Sequence, residues 1–526
     1  MSHDASPWAP LRVGAFRALW LASLVSLTGI WFQTVGAQWL LVDEPDASVL
    51  VALVQTATTA PFVFLGLVGG VLADTLDRRW LLIAVQSAAA AFGALLAALA
   101  FADALQPALL LVLIFVLGSA VAMTAPTYQS LVPDLVPRDE VPAAAALNSI
   151  SVNVARAVGP AIGGVLIAQA GAGATFAAAA ATSACYAVAA ALWRPPPTRR
   201  ANPEPFLAAM RAGGRYVRHA PVVRRIMLRA ALFLVPASAL FALLPLVASE
   251  RLGLEADGYG LLLAALGAGA VAGALALPRV RARLSINQMI TAASAVFVVA
   301  LAVIALLREV VPVLVMLLAT GVAWVVVLSS VNAALVLFLP GWVRGRSLAV
   351  YQTVLFGSQA VSGLLAGPLA GAVGLVDTLL IAAGTVAVGA VTIRIWPLID
   401  TRSMDRAPAD VWPEPRLATD VDPSGRAVVV TITYHVQPDD EPGFIAAMAG
   451  IRESRLRTGA IKWALYRDGE DGQAFVELFA VASWEEHERQ HHERMTGTDR
   501  ELQRRAAALA VGPPQPRHLI AVDVDG

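Results

Sequence analysis

The chain has 526 residues, of which 58% are hydrophobic and only 14% are charged. A soluble domain carries about 25% charged residues, so this composition indicates a membrane protein. The formal net charge is zero, which gives no reason to expect binding to nucleic acid. The single cysteine, Cys185, excludes an intrachain disulfide and a cysteine metal cluster. We predict neither a metal site nor a cofactor.

Apolar runs long enough to cross a membrane recur along the chain. A transmembrane helix needs about 20 mostly apolar residues. Two sets of six such runs are separated by a polar stretch. They lie near 17–42, 48–73, 80–102, 107–129, 143–169, 174–193, 227–249, 259–278, 286–307, 311–339, 347–372 and 376–396. The pattern predicts twelve transmembrane helices in two six-helix halves, an arrangement typical of secondary transporters.

Arginine residues are concentrated in alternate loops, as at Arg78 and Arg79. The intervening loops are acidic or neutral, for example 43–46, with Arg251 and Arg308 as the exceptions. Basic loops face the cytoplasm. Both termini and the central loop are therefore predicted to be cytoplasmic.

Polar composition divides the rest of the chain. The predicted parts are an N-terminal half at 1–193, a basic loop at 194–226, a C-terminal half at 227–400, a proline-rich linker at 401–425 and a soluble domain at 426–526. In the last part, strands are predicted at 427–436, 461–467, 474–483 and 518–524, and helices at 441–458 and 484–509. This βαββαβ order is typical of the ferredoxin-like α+β fold. The fold class is thus an all-α polytopic membrane protein with an α+β appendage.

The stretch GGVLADTLDRRWLL (69–82) places four charges between two apolar runs. It resembles the loop signature of the major facilitator superfamily at Gly70, Asp74, Arg78 and Arg79, whereas Asp77 replaces the usual second glycine. The resemblance implies a conformational switch, in which charges beside a helix end latch and release neighbouring helices. The alternative is that these charges only fix the topology.

The segment ARAVGPAIGG (155–164) resembles the fifth-helix motif of antiporters of the same superfamily. Gly159, Pro160, Gly163 and Gly164 match it, and small residues there permit close helix packing. The longer stretch 125–164 is similar to the enterobactin-exporter-like, or transmembrane secretion effector, branch. That resemblance implies proton-linked export of amphipathic compounds such as siderophores or macrolides across the bacterial inner membrane.

Arg156 is the one ionisable residue found well inside a predicted span. It follows the start of the fifth span by about 20 Å, close to the membrane midplane. A charge at that depth costs at least about 2.5–3.5 kcal/mol and indicates a functional cavity. The alternative is that Arg156 binds backbone carbonyls and fixes helix packing. Gln33, Thr59, Trp324 and Gln359 are the other predicted cavity residues.

No aspartate or glutamate accompanies Arg156 well inside a predicted span; Asp377 is the second residue of the last one. Proton-coupled exporters commonly use a buried carboxylate. A proton, if it is the coupling ion, would then bind Asp74 or an acid at the outer edge, namely Asp43, Glu44 or Glu250.

The soluble domain resembles the antibiotic-biosynthesis-monooxygenase type of dimeric barrel. A dimerising or regulatory role is favoured over catalysis. His435, His491 and His492 would be the first residues to replace in a test for catalysis. HERQH, with His487, Glu488 and His491, matches a zinc-protease pattern. We interpret the match as a coincidence, because its flanks are charged and no third ligand is evident.

The leading hypothesis is an exporter that binds a small-molecule substrate within the membrane lipid and uses no enzymatic chemistry. One alternative is a membrane-anchored enzyme whose tail carries the activity. The other is an importer of the same fold, because alternating access is reversible.

Overall fold

The computed structural model describes residues 8–194, 214–398 and 427–522. The predicted linker and most of the predicted basic loop lie outside the described residues. The chain divides into two compact units. The first comprises Met1–Pro203, Met227–Asn332 and Tyr351–Leu398, and the second comprises Glu204–Ile226, Ala333–Val350 and Ile399–Gly526.

Long helices make up the first unit, and some of them include residues of the segments Glu204–Ile226 and Ala333–Val350, which are assigned to the second unit. They are α1 (Gly14–Leu40), α2 (Ala47–Thr75), α3 (Arg78–Phe101), α4 (Pro107–Leu135), α5 (Val141–Leu192), α6 (Pro221–Leu246), α7 (Ala256–Arg283), α8 (Ile286–Leu306), α9 (Val310–Phe338), α10 (Gly341–Val373) and α11 (Leu375–Val391). Among the described residues, ten helices are long and apolar enough to cross a membrane. The eleventh, α11, is apolar but has only 17 residues. The chain is therefore a mostly helical, multi-pass membrane protein.

Helix α5 is unusually long, with 52 residues. It contains both the fifth and the sixth predicted spans, 143–169 and 174–193. Its helical geometry is interrupted at Gly171, where φ is +79°. Residues with a Cβ rarely adopt such a φ, so a glycine is suited to this break.

The C-terminal part of the second unit is a four-stranded antiparallel sheet with helices. Its elements are β1 (Val428–His435), α12 (Glu441–Thr458), β2 (Lys462–Arg467), β3 (Ala474–Val481), α13 (Trp484–Arg489), a π-helical turn (Gln490–Arg494), α14 (Gly497–Ala508) and β4 (Gln515–Ile520). The strand order is β2-β3-β1-β4. Alternate residues of β1, from Val428 to Tyr434, are buried against the helices.

The predicted helix 484–509 is wrong as a single element. The chain leaves the helix after Arg494 and starts a new one at Gly497. Thr496 and Asp499 form a capping box at that start, with Thr496 N donating to Asp499 Oδ2 over 3.0 Å. Such a cap satisfies the free backbone N–H groups in the first turn of a helix, so it marks the start of a new helix. The last strand also begins earlier than predicted, at Gln515.

A buried ion pair lies between α12 and the sheet. Arg455 Nε donates to Glu477 Oε1 over 2.9 Å, and the two side chains are 1% and 0% exposed. Tyr434 Oη and Trp463 Nε1 also donate to the Glu477 carboxylate, over 3.1 and 2.9 Å. Glu477 is thus compensated by three donors, as a buried charge requires.

The sheet domain also contacts the helical segments of its own unit. The Arg494 guanidinium lies 4.8 Å from the centroid of the Trp342 ring. Arg457 lies 5.9 Å from the centroid of Tyr216, and Tyr216 packs edge-on against Trp342 at 5.6 Å. These cation–π contacts join the C-terminal fold to the segments around Tyr216 and Trp342.

Candidate functional site

A cavity of about 420 Å³ lies among α1 to α5 and α10 in the first unit. Its walls are largely apolar, with polar side chains between them. The polar and charged lining residues are Ser23, Ser26, Gln33, Thr58, Thr59, Gln86, Thr124, Tyr128, Gln129, Asn148, Arg156, Ser183, Tyr186 and Gln352. A cavity of this size and character suits a drug-sized amphipathic ligand.

Arg156 carries the one charge among the described residues that line this cavity. No carboxylate of the described residues forms an ion pair with it. Its side chain is partly exposed, towards the cavity that it lines. The arrangement therefore favours a ligand that brings its own negative charge.

Two further groups point to polar recognition. Gln86 Nε2 donates to Thr124 Oγ1 over 2.9 Å. Gln86 Oε1 and Tyr128 Oη are buried and have no hydrogen-bond partner among the described residues. Buried polar atoms are normally satisfied, so these two are available to a ligand or to water.

The apolar walls include an aromatic pair across the cavity. Phe62 of α2 stacks on Phe356 of α10 with ring centroids 3.9 Å apart. Leu27, Ile30 and Leu355 line the same cavity. These side chains offer an apolar surface beside the Arg156 guanidinium.

The structure brings together three of the five predicted cavity residues, namely Gln33, Thr59 and Arg156. Trp324 instead packs in an aromatic cluster with Phe241, at 4.7 Å between centroids. Gln359 Oε1 accepts from Gln55 Nε2 over 3.1 Å. Trp324 and Gln359 do not line the cavity. Their side chains instead contact residues of neighbouring helices.

The helix-five motif lies at close helix contacts. A methyl group added at Gly164 would lie 2.6 Å from Gly260 Cα of α7. One added at Gly159 would lie 2.9 Å from Trp31 Cβ of α1, and Gly163 faces Phe32. Pro160 contributes its carbonyl to the contact with Gly260. The small residues thus permit the close approach of α5 to α1 and α7.

A second close contact joins α2 and α10. A methyl group added at Gly367 would lie 2.8 Å from Ser48 O. Thr56 Oγ1 donates to Ala360 O over 2.9 Å. Gly260 lies four residues after the start of α7 and Ser48 one residue after the start of α2, and both helix starts follow acidic loops. We refer to the two contacts, Gly164 with Gly260 and Gly367 with Ser48, as the glycine seams.

The loop at 69–82 is partly described. Gly70 lies within α2, and the side chain of Asp74 is outside the part of the chain that the structure describes. Asp77 caps α3 by accepting from Arg79 N over 2.9 Å. Arg78 Nη1 lies 2.7 Å from Asp134 Oδ2 of α4 and donates to Ser130 O over 3.0 Å. These contacts join the start of α3 to the end of α4.

Arg79 binds the end of α5. Its Nη2 donates to Ala191 O over 2.6 Å and its Nε to Ala190 O over 3.3 Å. The last carbonyls of a helix lack intrahelical donors and carry partial negative charge, so an arginine stabilises them.

The sequence analysis missed two similar arginines in the second half of the chain. Arg281 Nη2, in the last turn of α7, donates to Ser329 O of α9 over 2.7 Å. Arg229 Nη1 donates to Gly389 O over 3.0 Å, at the end of α11. The first resembles the contact of Arg78 with Ser130 and the second that of Arg79 with α5. Only the placement of the helices reveals these partners.

The predicted edge acids Asp43, Glu44 and Glu250 lie at helix ends, outside the cavity lining. In the tail, His435 is exposed, with its Nε2 3.7 Å from Asp471 Oδ2. His492 is exposed as well. The HERQH match is interpreted above as a coincidence because its flanks are charged. His487 within it is nevertheless 0% exposed, and its ring lies 6.3 Å from that of Phe479 on β3, centroid to centroid.

Comparison with known proteins places the whole chain in one group. A family model described as transmembrane secretion effector matches residues 5–525. The multidrug efflux pump Tap of Mycobacterium bovis is 28% identical over 411 residues, which cover 74% of this chain and 95% of that pump. The enterobactin exporter EntS of Shigella boydii is 31% identical over 271 residues, or 50% of this chain and 62% of that exporter. The staphyloferrin A transporter of Staphylococcus aureus is 28% identical over 175 residues, so the match spans 43% of its length and 33% of this chain.

Solved transporter structures share the fold. A bacterial homologue of the human lysosomal transporter Spinster covers 73% of this chain with a TM-score of 0.55 and 16% identity, and 95% of that protein is matched. A variant of the nucleoside transporter NupG covers 72% with a TM-score of 0.59 and 15% identity, and 99% of it is matched. At such identities the likeness concerns the fold alone.

Proposed function

Because the chain belongs to the transmembrane secretion effector family of the major facilitator superfamily, we propose that it exports an amphipathic anionic or catecholate compound across the bacterial inner membrane. The observation that carries this proposal is Arg156, which faces a largely apolar cavity of about 420 Å³ without a described carboxylate partner. Two relatives, a multidrug efflux pump and an enterobactin exporter, support the direction of transport and the substrate class.

The ligand would bind with its acidic group on Arg156 and its apolar part between Phe62 and Leu355. A charge-assisted hydrogen bond is about twice as strong as a neutral one, so the guanidinium would orient the ligand. Gln86 Oε1 would accept a hydrogen bond from a polar group of the ligand, and Tyr128 Oη would donate one to another.

The topology in this proposal has twelve spans, with both termini in the cytoplasm. Helix α5 has 52 residues, about 78 Å at 1.5 Å per residue, which is far more than one crossing of a 30 Å core requires. A turn at Gly171 would divide it into two spans. Together with α11 this brings the count to twelve, and the basic loops give the orientation.

The cavity and the glycine seams support an alternating-access cycle. The seams lie near the acidic, outer loops, whereas Gln129, Asn148 and Gln352 extend the cavity towards the basic, inner loops. The ligand would enter from the inner side and leave when the seams separate. The 69–82 loop would act as a switch, with Arg78 and Arg79 holding helix ends in one state.

Proton coupling stays a prediction without an assigned residue. The described cavity lining contains no carboxylate. The acids that remain are Asp74 and the edge residues Asp43, Glu44 and Glu250. A variant such as Asp74→Asn that retains export but loses its dependence on the proton gradient would assign the coupling site.

For the C-terminal domain we propose a ferredoxin-like fold and a regulatory role. The element order and the strand order β2-β3-β1-β4 support the fold. The contacts of Arg494 with Trp342 and of Arg457 with Tyr216 support regulation, because they link the domain to helical segments. Dimerisation and monooxygenase activity stay predictions.

Export is tested in cells that lack their own efflux pumps. A catecholate siderophore, a macrolide and a lipophilic cation are loaded, and energised efflux is compared for wild type, Arg156→Ala and the exposed control Arg308→Ala. We expect the wild type to export the catecholate, Arg156→Ala to lose this export and Arg308→Ala to retain it. Efflux of the lipophilic cation alone, or normal export by Arg156→Ala, would contradict the proposal.

A further inference from the structure

Three histidines of the C-terminal domain converge beneath its sheet. His487 and His491 lie one turn apart, on α13 and the following π-helical turn, and His518 lies on β4. One ring nitrogen of each lies within 4.8 Å of those of the other two. The ring centroid of His487 lies 4.5 Å from that of His491 and 4.9 Å from that of His518.

The sheet register explains how His518 joins the pair. His518 lies opposite Val430 of β1, which in turn lies opposite Phe479 of β3. Val430 faces the buried side of the sheet, so His518 faces the same side, below α13. Sequence spacing cannot show this ligand, because 26 residues, which include a helix, lie between His491 and His518.

The burial of His487 leaves its two polar ring nitrogens unsatisfied, although its ring packs against Trp484 with centroids 5.3 Å apart. Its side chain is 0% exposed, and neither ring nitrogen has a hydrogen-bond partner among the described residues. Such a buried polar group normally has one, so its environment is incomplete as it stands.

From this geometry we infer that His487, His491 and His518 bind a borderline divalent metal ion of the zinc class. Three imidazole nitrogens are a known ligand set for Zn²⁺ with a fourth position left to water. Tetrahedral coordination at about 2.0–2.1 Å brings the nitrogens to about 3.3 Å from each other. The nitrogens lie within 4.8 Å of one another here, so binding an ion would draw them together by up to about 1.5 Å.

The test is zinc binding by the full-length protein, purified in detergent without a histidine tag and stripped with a chelator. Zn²⁺ alone is the probe, titrated against a chromophoric chelator. We expect one ion per chain, and a weakening of at least about 100-fold in His518→Gln, since loss of an outer-shell partner alone typically costs 10–100-fold. His492→Gln, on the same turn but outside the cluster, is the matched control and should bind as wild type does.

A Co²⁺ titration provides a second readout. The wild type should develop visible absorption bands of four-coordinate cobalt, and His491→Gln should lose them. No stoichiometric zinc in the wild type, or equal binding by His518→Gln and His492→Gln, would overturn the inference. His518 is partly exposed, so its variant is expected to fold, and a melting curve without metal checks this.

Discussion

Replacing Gly164 by alanine should destabilise the closed form of the glycine seam between Gly164 and Gly260. The added methyl group would lie 2.6 Å from Gly260 Cα and 2.8 Å from Ala256 O, and both contacts are to backbone atoms. Overpacking of this kind costs about 1–3 kcal/mol. Because the cost falls only on the state in which the seam is closed, the ratio of closed to open molecules should fall about 5- to 150-fold.

The change is measured by cysteine alkylation in purified protein. Cys185 is replaced by alanine, and Ala52, which is 0% exposed beside the second seam, is replaced by cysteine. The two seams should open together when the halves tilt as rigid bodies. Gly164→Ala should therefore speed alkylation at position 52. Gly384→Ala is the control, because nothing lies within 4 Å of its added methyl group. Equal alkylation rates in the two variants would refute the reasoning.

Three further predictions concern the C-terminal domain. Glu477→Gln should lower the domain's free energy of unfolding by about 3–5 kcal/mol, since it removes the carboxylate charge that pairs with the buried Arg455 guanidinium. The exposed Glu470→Gln should have little effect, and denaturant unfolding checks both variants. Burial alone would raise the pKa of Asp499, but the Arg457 guanidinium and hydrogen bonds from Ser454 and Thr496 hold it below the ordinary value of 3.8. The unfolded chain then binds the proton more readily, so this stabilisation is complete above pH 3.8 and is lost as the pH falls below it; Asp499→Asn should remove that pH dependence from the unfolding curve. Trp342→Ala should remove a cation–π contact of up to about 2 kcal/mol and speed hydrogen exchange by up to about 30-fold around Tyr216, and unchanged exchange there would contradict the docking of Arg494.

The transporter class could be predicted from the sequence because hydropathy and loop arginines report directly on the membrane. Ten long apolar helices are present among the described residues, and the break at Gly171 falls between two predicted spans, but the count of twelve spans stays a prediction. Family membership confirms the transporter prediction. The exact helix ends in the tail were less predictable, because a cap such as Thr496–Asp499 depends on a few local hydrogen bonds.

The cavity could be predicted only in part. Arg156 stood out because a charge inside an apolar span is costly. Trp324 and Gln359 were indistinguishable from cavity residues in sequence, yet one packs in an aromatic cluster and the other binds Gln55. Gln86 and Tyr128 gave no signal, since their depth and direction depend on helix rotation. The same holds for His518, whose neighbours come from a distant helix.

The most direct test of the account is ligand binding to purified protein, using whichever anionic or catecholate compound the cells export. Arg156→Ala should weaken binding about 10- to 100-fold, because a hydrogen bond to a charged group contributes about 1.5–3 kcal/mol. Arg156→Lys should retain part of the affinity, since it keeps the charge but loses the guanidinium fork. If Arg156→Ala binds the compound as tightly as the wild type does, the cavity around Arg156 is not the substrate site.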